Sequence, residues 1–129
     1  MSARMTALII DDDNGILQAY RRVLTAAGFQ VSMAEDGLDA LMAVQEGNYD
    51  VVVVDLMMPQ FDGVETINIV RASNANVAIV VTTGSTSSED IERAWRAGAD
   101  RVLLKPVENA DLVKAVQEAV GKSKAIASR

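Results

Sequence analysis

The sequence predicts a doubly wound α/β domain built on a parallel β-sheet. Five short apolar runs recur along the 129 residues, rich in β-branched side chains and mostly without polar alternation, as strands covered on both faces require. Segments with the apolar spacing of amphipathic helices separate them. The strand-then-helix order repeats five times, which right-handed crossovers fold into one sheet flanked by helices. The repeat is architectural, with no sequence repeat behind it.

The first strand is Ala7 to Ile10, followed by a helix marked by Ile16, Leu17, Tyr20, Leu24 and Ala27. Gly28 is placed to end that helix, and Asp13 suits its N-terminus, where the macrodipole favours a carboxylate. Phe29 to Met33 form the second strand. Ala34-Glu35-Asp36-Gly37 then caps a second helix carrying Leu38, Leu41, Met42 and Gln45 and closed by Gly47. Val51 to Val54 are the third strand, Pro59 breaks the loop after it, and Asp62-Gly63 makes a turn. The third helix follows, with Val64, Ile67 and Val70 or Arg71 on one face. After the fourth strand, Val77 to Val81, a helix opens at Thr86-Ser87-Ser88-Glu89-Asp90, where Ser87 and Asp90 fit a capping box. That helix runs through Ile91, Ala94 and Trp95 to Gly98. Val102 to Leu104 and a last helix carrying Leu112, Val113, Val116, Ala119 and Val120 complete the pattern. From Gly121 the run GKSKAIASR is small and polar, so the expected domain is 1–121, with 122–129 a short tail or the start of a linker. Arg21, Arg22 and Arg93 read as solvated helix faces.

Composition removes several functions. Half the residues are hydrophobic and only 4% aromatic, so the core is aliphatic. Cysteine and histidine are both absent, which excludes thiol nucleophiles, thiolate or imidazole metal sites and a Ser/His/Asp triad. It also excludes a phosphohistidine on this chain. Lack of cysteine is compatible with the reducing cytoplasm, the expected location. The net charge of −6 argues against direct nucleic-acid binding, which needs clustered Lys and Arg. No apolar run approaches the length of a membrane span, and the N-terminus has no signal-peptide layout.

In sheets of this class, ligands sit beyond the carboxyl ends of the strands. Unusual polar residues fall there: Asp11, Asp12 and Asp13 after the first strand, Asp55 after the third, Thr82 and Thr83 after the fourth, Lys105 after the fifth. If Asp11, Asp12 and Asp55 converge, two carboxylates about 5 Å apart at an effective dielectric near 20 repel by roughly 3 kcal/mol. A hard divalent cation with oxygen ligands relieves this, and Mg²⁺ combines one or two carboxylates with waters and phosphate oxygens. A carboxylate can itself attack phosphorus to give an acyl phosphate. Asp55, alone at a strand end, suits that role, while Asp11 and Asp12 suit a metal. Lys105 could neutralise a phosphoryl oxygen and a threonine hydroxyl bind another.

The ordered set Ile9-Ile10-Asp11-Asp12-Asp13, Asp55-Leu56-Met57-Met58-Pro59-x-x-Asp62-Gly63, Thr83-Gly84, Ala97-Gly98-Ala99-Asp100 and Lys105-Pro106 resembles the receiver domain of bacterial two-component response regulators. The resemblance covers roughly residues 5 to 120. It implies a flavodoxin-like fold with strand order 2-1-3-4-5 and a phosphorylation-dependent switch without turnover. Asp55 would accept phosphate from a sensor histidine kinase or histidine phosphotransfer protein. Asp11, Asp12, Asp55 and the Met57 carbonyl would hold Mg²⁺, with Mn²⁺ as a substitute, and Thr83 and Lys105 would sense the phosphoryl group. Thr83 is preferred to Thr82 because Gly84 follows it. The resemblance also implies a cis Lys105-Pro106 bond, which would aim the lysine into the site, whereas trans is the ordinary expectation for an X-Pro bond. Val102 stands where many relatives carry Tyr or Phe, and Val107 where Phe is common. A downstream protein, or a second copy of this chain, would meet the face of the fourth helix, fifth strand and fifth helix, at Ile91, Trp95 and Val102.

Rival readings fail on residues. An EF-hand around DDDNG would put Ile10 and Arg21 at ligand positions. An FMN module would not place three aspartates in its phosphate loop. A phosphohydrolase of the haloacid type wants a second aspartate at position 57, which is Met57. Gly121-Lys122-Ser123 looks like the end of a P-loop, but the position of its first glycine is Val116. A phosphorylation-independent interaction module on the same fold is the remaining alternative.

Overall fold

A computed structural model describes residues 4–59 and 61–127. Residues 1–3 at the front of the expected domain, and 128–129 of the expected tail, lie outside the described residues. Five strands form one parallel sheet: β1 (Thr6–Ile10), β2 (Gln30–Ala34), β3 (Val51–Asp55), β4 (Ala78–Thr83) and β5 (Arg101–Leu104). Their spatial order is β2-β1-β3-β4-β5, every pairing being parallel. The helices are α1 (Asn14–Ala26), α2 (Gly37–Glu46), α3 (Gly63–Ser73), α4 (Ser88–Ala97) and α5 (Asn109–Ala127). A two-residue antiparallel ribbon, Met57–Met58 with Phe61–Asp62, tightens the loop after β3.

Side chains alternate across the sheet and so build two aliphatic layers. Ala7, Ile9, Val51, Val53, Ala78 and Val80 pack against Leu17, Tyr20 and Leu24 of α1 and Leu112, Val116 and Ala119 of α5. Leu8, Ile10, Val52, Val54, Ile79 and Val81 face Ala40 and Val44 of α2, Ile67 and Val70 of α3 and Ala94 of α4. The four-valine run is thus buried on both faces, and β3 is central because its neighbours β1 and β4 are equally apolar.

The N-caps follow the local sequence. Asp13, Asp36, Asp62 and Ser87 each accept a backbone amide at the start of a helix, satisfying donors the helix cannot. The Ser87 capping box is half formed: Asp90 N donates to Ser87 Oγ at 3.4 Å, while the Asp90 carboxylate accepts from Ser85 Oγ at 2.8 Å. Gly98 caps α4 with φ +118°, a conformation that favours glycine.

Three expectations change. The second strand is an edge strand with Gln30, Ser32 and Met33 exposed, because only β1 covers it. Helix α2 buries Gly37, Ala40 and Val44 and leaves Leu38 and Met42 exposed; its composition is apolar on several faces, and the small residues allow the closer approach. Helix α5 continues through Gly121 to Ala127, so the stretch read as a tail is helical that far, its alanines and lysines being good helix formers.

Candidate functional site

The carboxyl ends of β1, β3, β4 and β5 bring the polar residues together. Asp11 and Asp55 are buried and Asp12 is exposed, and one carboxylate oxygen from each lies within 4.8 Å of the others. Lys105 Nζ donates to Asp11 Oδ2 at 3.0 Å and lies 3.3 Å from Asp55 Oδ2. The other Asp55 oxygen accepts the Met57 amide at 3.2 Å. Asp11 Oδ1 accepts the Asp13 amide at 2.9 Å.

Backbone bonds hold these groups in place. The Asp11 amide donates to Ala34 O, that of Leu56 to Thr82 O, and that of Lys105 to Thr83 O, so each loop leaves the sheet still tied to a neighbouring strand. Gly63 fixes the far end of the β3 loop. Its amide donates to Leu56 O at 3.2 Å, and a Cβ there would stand 2.5 Å from that oxygen and 2.6 Å from Leu56 Cα. Sequence reading gave Asp62-Gly63 only a turn; the close approach is to Leu56 at the other end of the same loop, across the short ribbon. Lys105-Pro106 is cis.

Burial and electrostatics shift the titrating groups in ways that follow from this packing. Burial, and then the Asp11 charge, raise the Asp55 carboxyl above its ordinary value, with the Met57 amide and Lys105 opposing. Burial alone would lower the Lys105 ammonium, but its bond to Asp11 and the charges of both carboxylates outweigh that and raise it. Tyr20, buried on the α1 side of the sheet, is raised chiefly by burial; Lys105 opposes, and Asp11 and Asp55 add to the rise. The phenol of Tyr20 therefore feels the acidic cluster, a neighbour that sequence spacing did not suggest.

The cluster suits a divalent cation by its chemistry. Three acidic oxygens in one small region, two of them buried, repel unless a positive charge joins them, and all are hard donors of the type Mg²⁺ takes. Lys105 supplies one positive charge from the inner side. Asp12, open to solvent, gives access from outside.

Thr82 and Thr83 both lie within β4, two residues beyond the expected strand end, and both are buried. Thr83 Oγ1 accepts the Ser85 amide at 3.0 Å. On the α4 side, Ile91 and Val102 are half-buried, and Val102 packs on the core. Trp95 is 45% exposed and Leu104 50%. Arg93 is exposed and pairs with Asp62 at 3.2 Å.

A second polar cluster, at the opposite end of the sheet, escaped the sequence reading. The Arg71 guanidinium donates to Ala75 O at 3.1 Å, to Val77 O, to Gly98 O at 2.6 Å and to Asp100 Oδ2 at 3.0 Å. Asp100 Oδ2 also accepts the Ile79 amide at 2.8 Å. One arginine thus ties the end of α3 to the start of β4 and the end of α4.

No described helix is long and apolar enough to cross a membrane. A family profile described as the response regulator receiver domain matches residues 7–117. The transcriptional regulatory protein PrrA of Mycobacterium tuberculosis is 37% identical over 110 residues, spanning 85% of this chain and 47% of PrrA. The chain therefore covers about half the length of that relative. The Vibrio cholerae chemotaxis protein CheY4 superposes with a TM-score of 0.85 at 32% identity, over 91% of this chain and 99% of CheY4. A response regulator protein from Burkholderia pseudomallei, solved with a phosphorylated aspartic acid, calcium ion and citrate, gives a TM-score of 0.83 at 26% identity, covering 94% of this chain and 71% of that one.

Proposed function

The chain belongs to the response regulator receiver domain family, and from that premise we propose that Asp55 accepts a phosphoryl group and that the domain switches on its modification. The observation that carries this reading is the placement of Asp55: a buried carboxylate at a strand end, sharing the ammonium of Lys105 with Asp11. A charge so costly to bury has a use if it attacks phosphorus. The phosphorylated aspartic acid of the Burkholderia relative supports the same chemistry on this fold.

In this reading the donor is a phosphohistidine of a sensor histidine kinase or phosphotransfer protein, and it belongs to another protein because this chain has no histidine. An Asp55 oxygen bonds to phosphorus as the donor's P–N bond breaks, and the electron pair stays on the imidazole nitrogen. Lys105 stays protonated through the step, its ammonium held by two carboxylates, and stabilises the charge gathering on the phosphoryl oxygens. Thr83 then gives its hydroxyl proton to one of those oxygens in a hydrogen bond. Asp11, Asp12, Asp55 and the Met57 carbonyl would hold Mg²⁺, or Mn²⁺ in its place, which supplies charge neutralisation for carboxylates and phosphate alike.

The signal passes to the face of α4, β5 and α5, where exposed Trp95 and half-buried Ile91 and Val102 offer apolar surface to a downstream protein or a second copy of the chain. With valine at position 102 the outward message cannot be a rotating ring there, and it travels by a shift of the β4–α4 loop. Hydrolysis of the acyl phosphate resets the switch. Intact mass measured after incubation with acetyl phosphate and Mg²⁺ tests the reading: one added phosphoryl group supports it, and an unmodified chain favours a phosphorylation-independent interaction module.

A further inference from the structure

The buried hydroxyl of Thr82 is the one polar side-chain atom in the interior of the described residues without a hydrogen-bond partner. Thr82 is 1% exposed and stands in register with Asp55 across the β3–β4 pairing. Neighbours in register on parallel strands project to the same face of the sheet. Ala78 and Val80, four and two residues before Thr82, belong to the layer under α1 and α5, and strand alternation puts Thr82 and Asp55 on that same side. Thr83 contrasts with it, projecting to the other face and already bonded to the Ser85 amide.

A valine at position 82 would fill the same volume without stranding a donor, and burying an unpaired hydroxyl is unfavourable. The hydroxyl therefore has an explanation only in a state where something accepts it. Asp55 provides one. In the unmodified chain its Oδ2 faces Lys105 at 3.3 Å and its Oδ1 accepts the Met57 amide. If Lys105 turns to the phosphoryl oxygens of the modified state, as the proposed function has it, Asp55 Oδ2 loses its ammonium partner while Thr82 stands in register on the next strand.

Resting on the reading of Asp55 as acceptor, we propose that Thr82 is a positioning residue for the modified state, its hydroxyl donating to the Asp55 carboxyl oxygen that Lys105 releases. Thr82 fixes the orientation of the acyl phosphate from the sheet side, as Thr83 binds the phosphoryl group from the loop side. The switch then draws on two adjacent threonines serving opposite faces of one strand.

The test is thermal unfolding of the full chain with Mg²⁺, with and without beryllofluoride as the phosphoryl mimic, for wild type, Thr82→Val and Thr82→Ser. Thr82→Val should melt at or above the wild-type temperature without beryllofluoride, and its rise on adding beryllofluoride should be smaller than the wild-type rise by about 3 °C. Thr82→Ser, which keeps the hydroxyl, should retain the wild-type rise. An equal rise in Thr82→Val overturns the proposal. So does a melting temperature that falls equally in both conditions, or a Thr82→Val chain that does not fold, since either makes the hydroxyl part of the unmodified fold. A wild type without any rise removes the acceptor reading itself, and the role of Thr82 with it.

Discussion

Lys105 Nζ lies 3.3 Å from Asp55 Oδ2, although fifty residues separate the two in the chain. Both sit at carboxyl ends of strands, and β4 lies between β3 and β5, so the lysine must reach across a whole strand to the aspartate. Its long stem makes that possible, and its shared bond with Asp11 fixes the ammonium between two carboxylates.

The raised Asp55 carboxyl sets a sign for stability. A group whose folded-state pKa exceeds its unfolded value contributes stability that is full below the unfolded value and lost as pH rises through the folded one. At neutral pH the ionised Asp55 therefore weakens the metal-free fold. Asp55→Asn should raise the unfolding free energy by about 1 kcal/mol at pH 7 in buffer with a chelator. The gain should shrink as pH falls towards the ordinary aspartate range, as urea titrations at several pH values would read.

Mg²⁺ should stabilise the wild type, because a ligand that binds only the folded chain adds free energy by mass action. At ten times its dissociation constant the gain is about 1.4 kcal/mol. Asp12→Ala should lose most of that gain yet keep the metal-free stability, because Asp12 is exposed. Unfolding temperature against Mg²⁺ concentration, with and without chelator, separates the two effects.

Arg71 makes a structural prediction far from the chemistry. Arg71→Ala leaves the Asp100 carboxylate to the Ile79 amide and Lys122 and frees the carbonyls of Val77 and Gly98, so it should cost about 2 kcal/mol in urea unfolding. Arg71→Lys should recover little, since an ammonium cannot reproduce the fork of the guanidinium.

Gly63→Ala should destabilise by about 2 kcal/mol. Its Cβ would meet Leu56 backbone that is itself bonded to the sheet, leaving no flexible side chain to move aside. Circular dichroism during thermal unfolding would record it.

The sheet was legible in the sequence because buried strands write themselves as apolar runs, and Val51 to Val54 cannot be satisfied at a surface. Asp11, Asp12, Asp55 and Lys105 were legible because each interrupts or ends such a run with a charge. Leu38 and Met42 misled, since helix α2 is apolar on more than one face and only the packing decides which face is covered. Arg71 left no mark, because its clamp depends on Gly98 and Asp100, remote in sequence, and Gly63 read only as a turn, because a glycine letter does not tell a tight backbone contact from a turn. Thr82 and Thr83 look alike as letters. The glycine after Thr83 favours it as the phosphate-binding residue, but which face each hydroxyl takes follows from strand alternation, and the strand end must be known to within one residue to apply it.

The most direct measurement is reductive trapping of the acyl phosphate. Borohydride converts a phosphorylated aspartate to homoserine, so wild-type protein incubated with acetyl phosphate and Mg²⁺, reduced and digested, should carry homoserine at position 55, and Asp55→Ala should carry none. Homoserine at Asp11 or Asp12, or its absence from the wild type, would contradict the account.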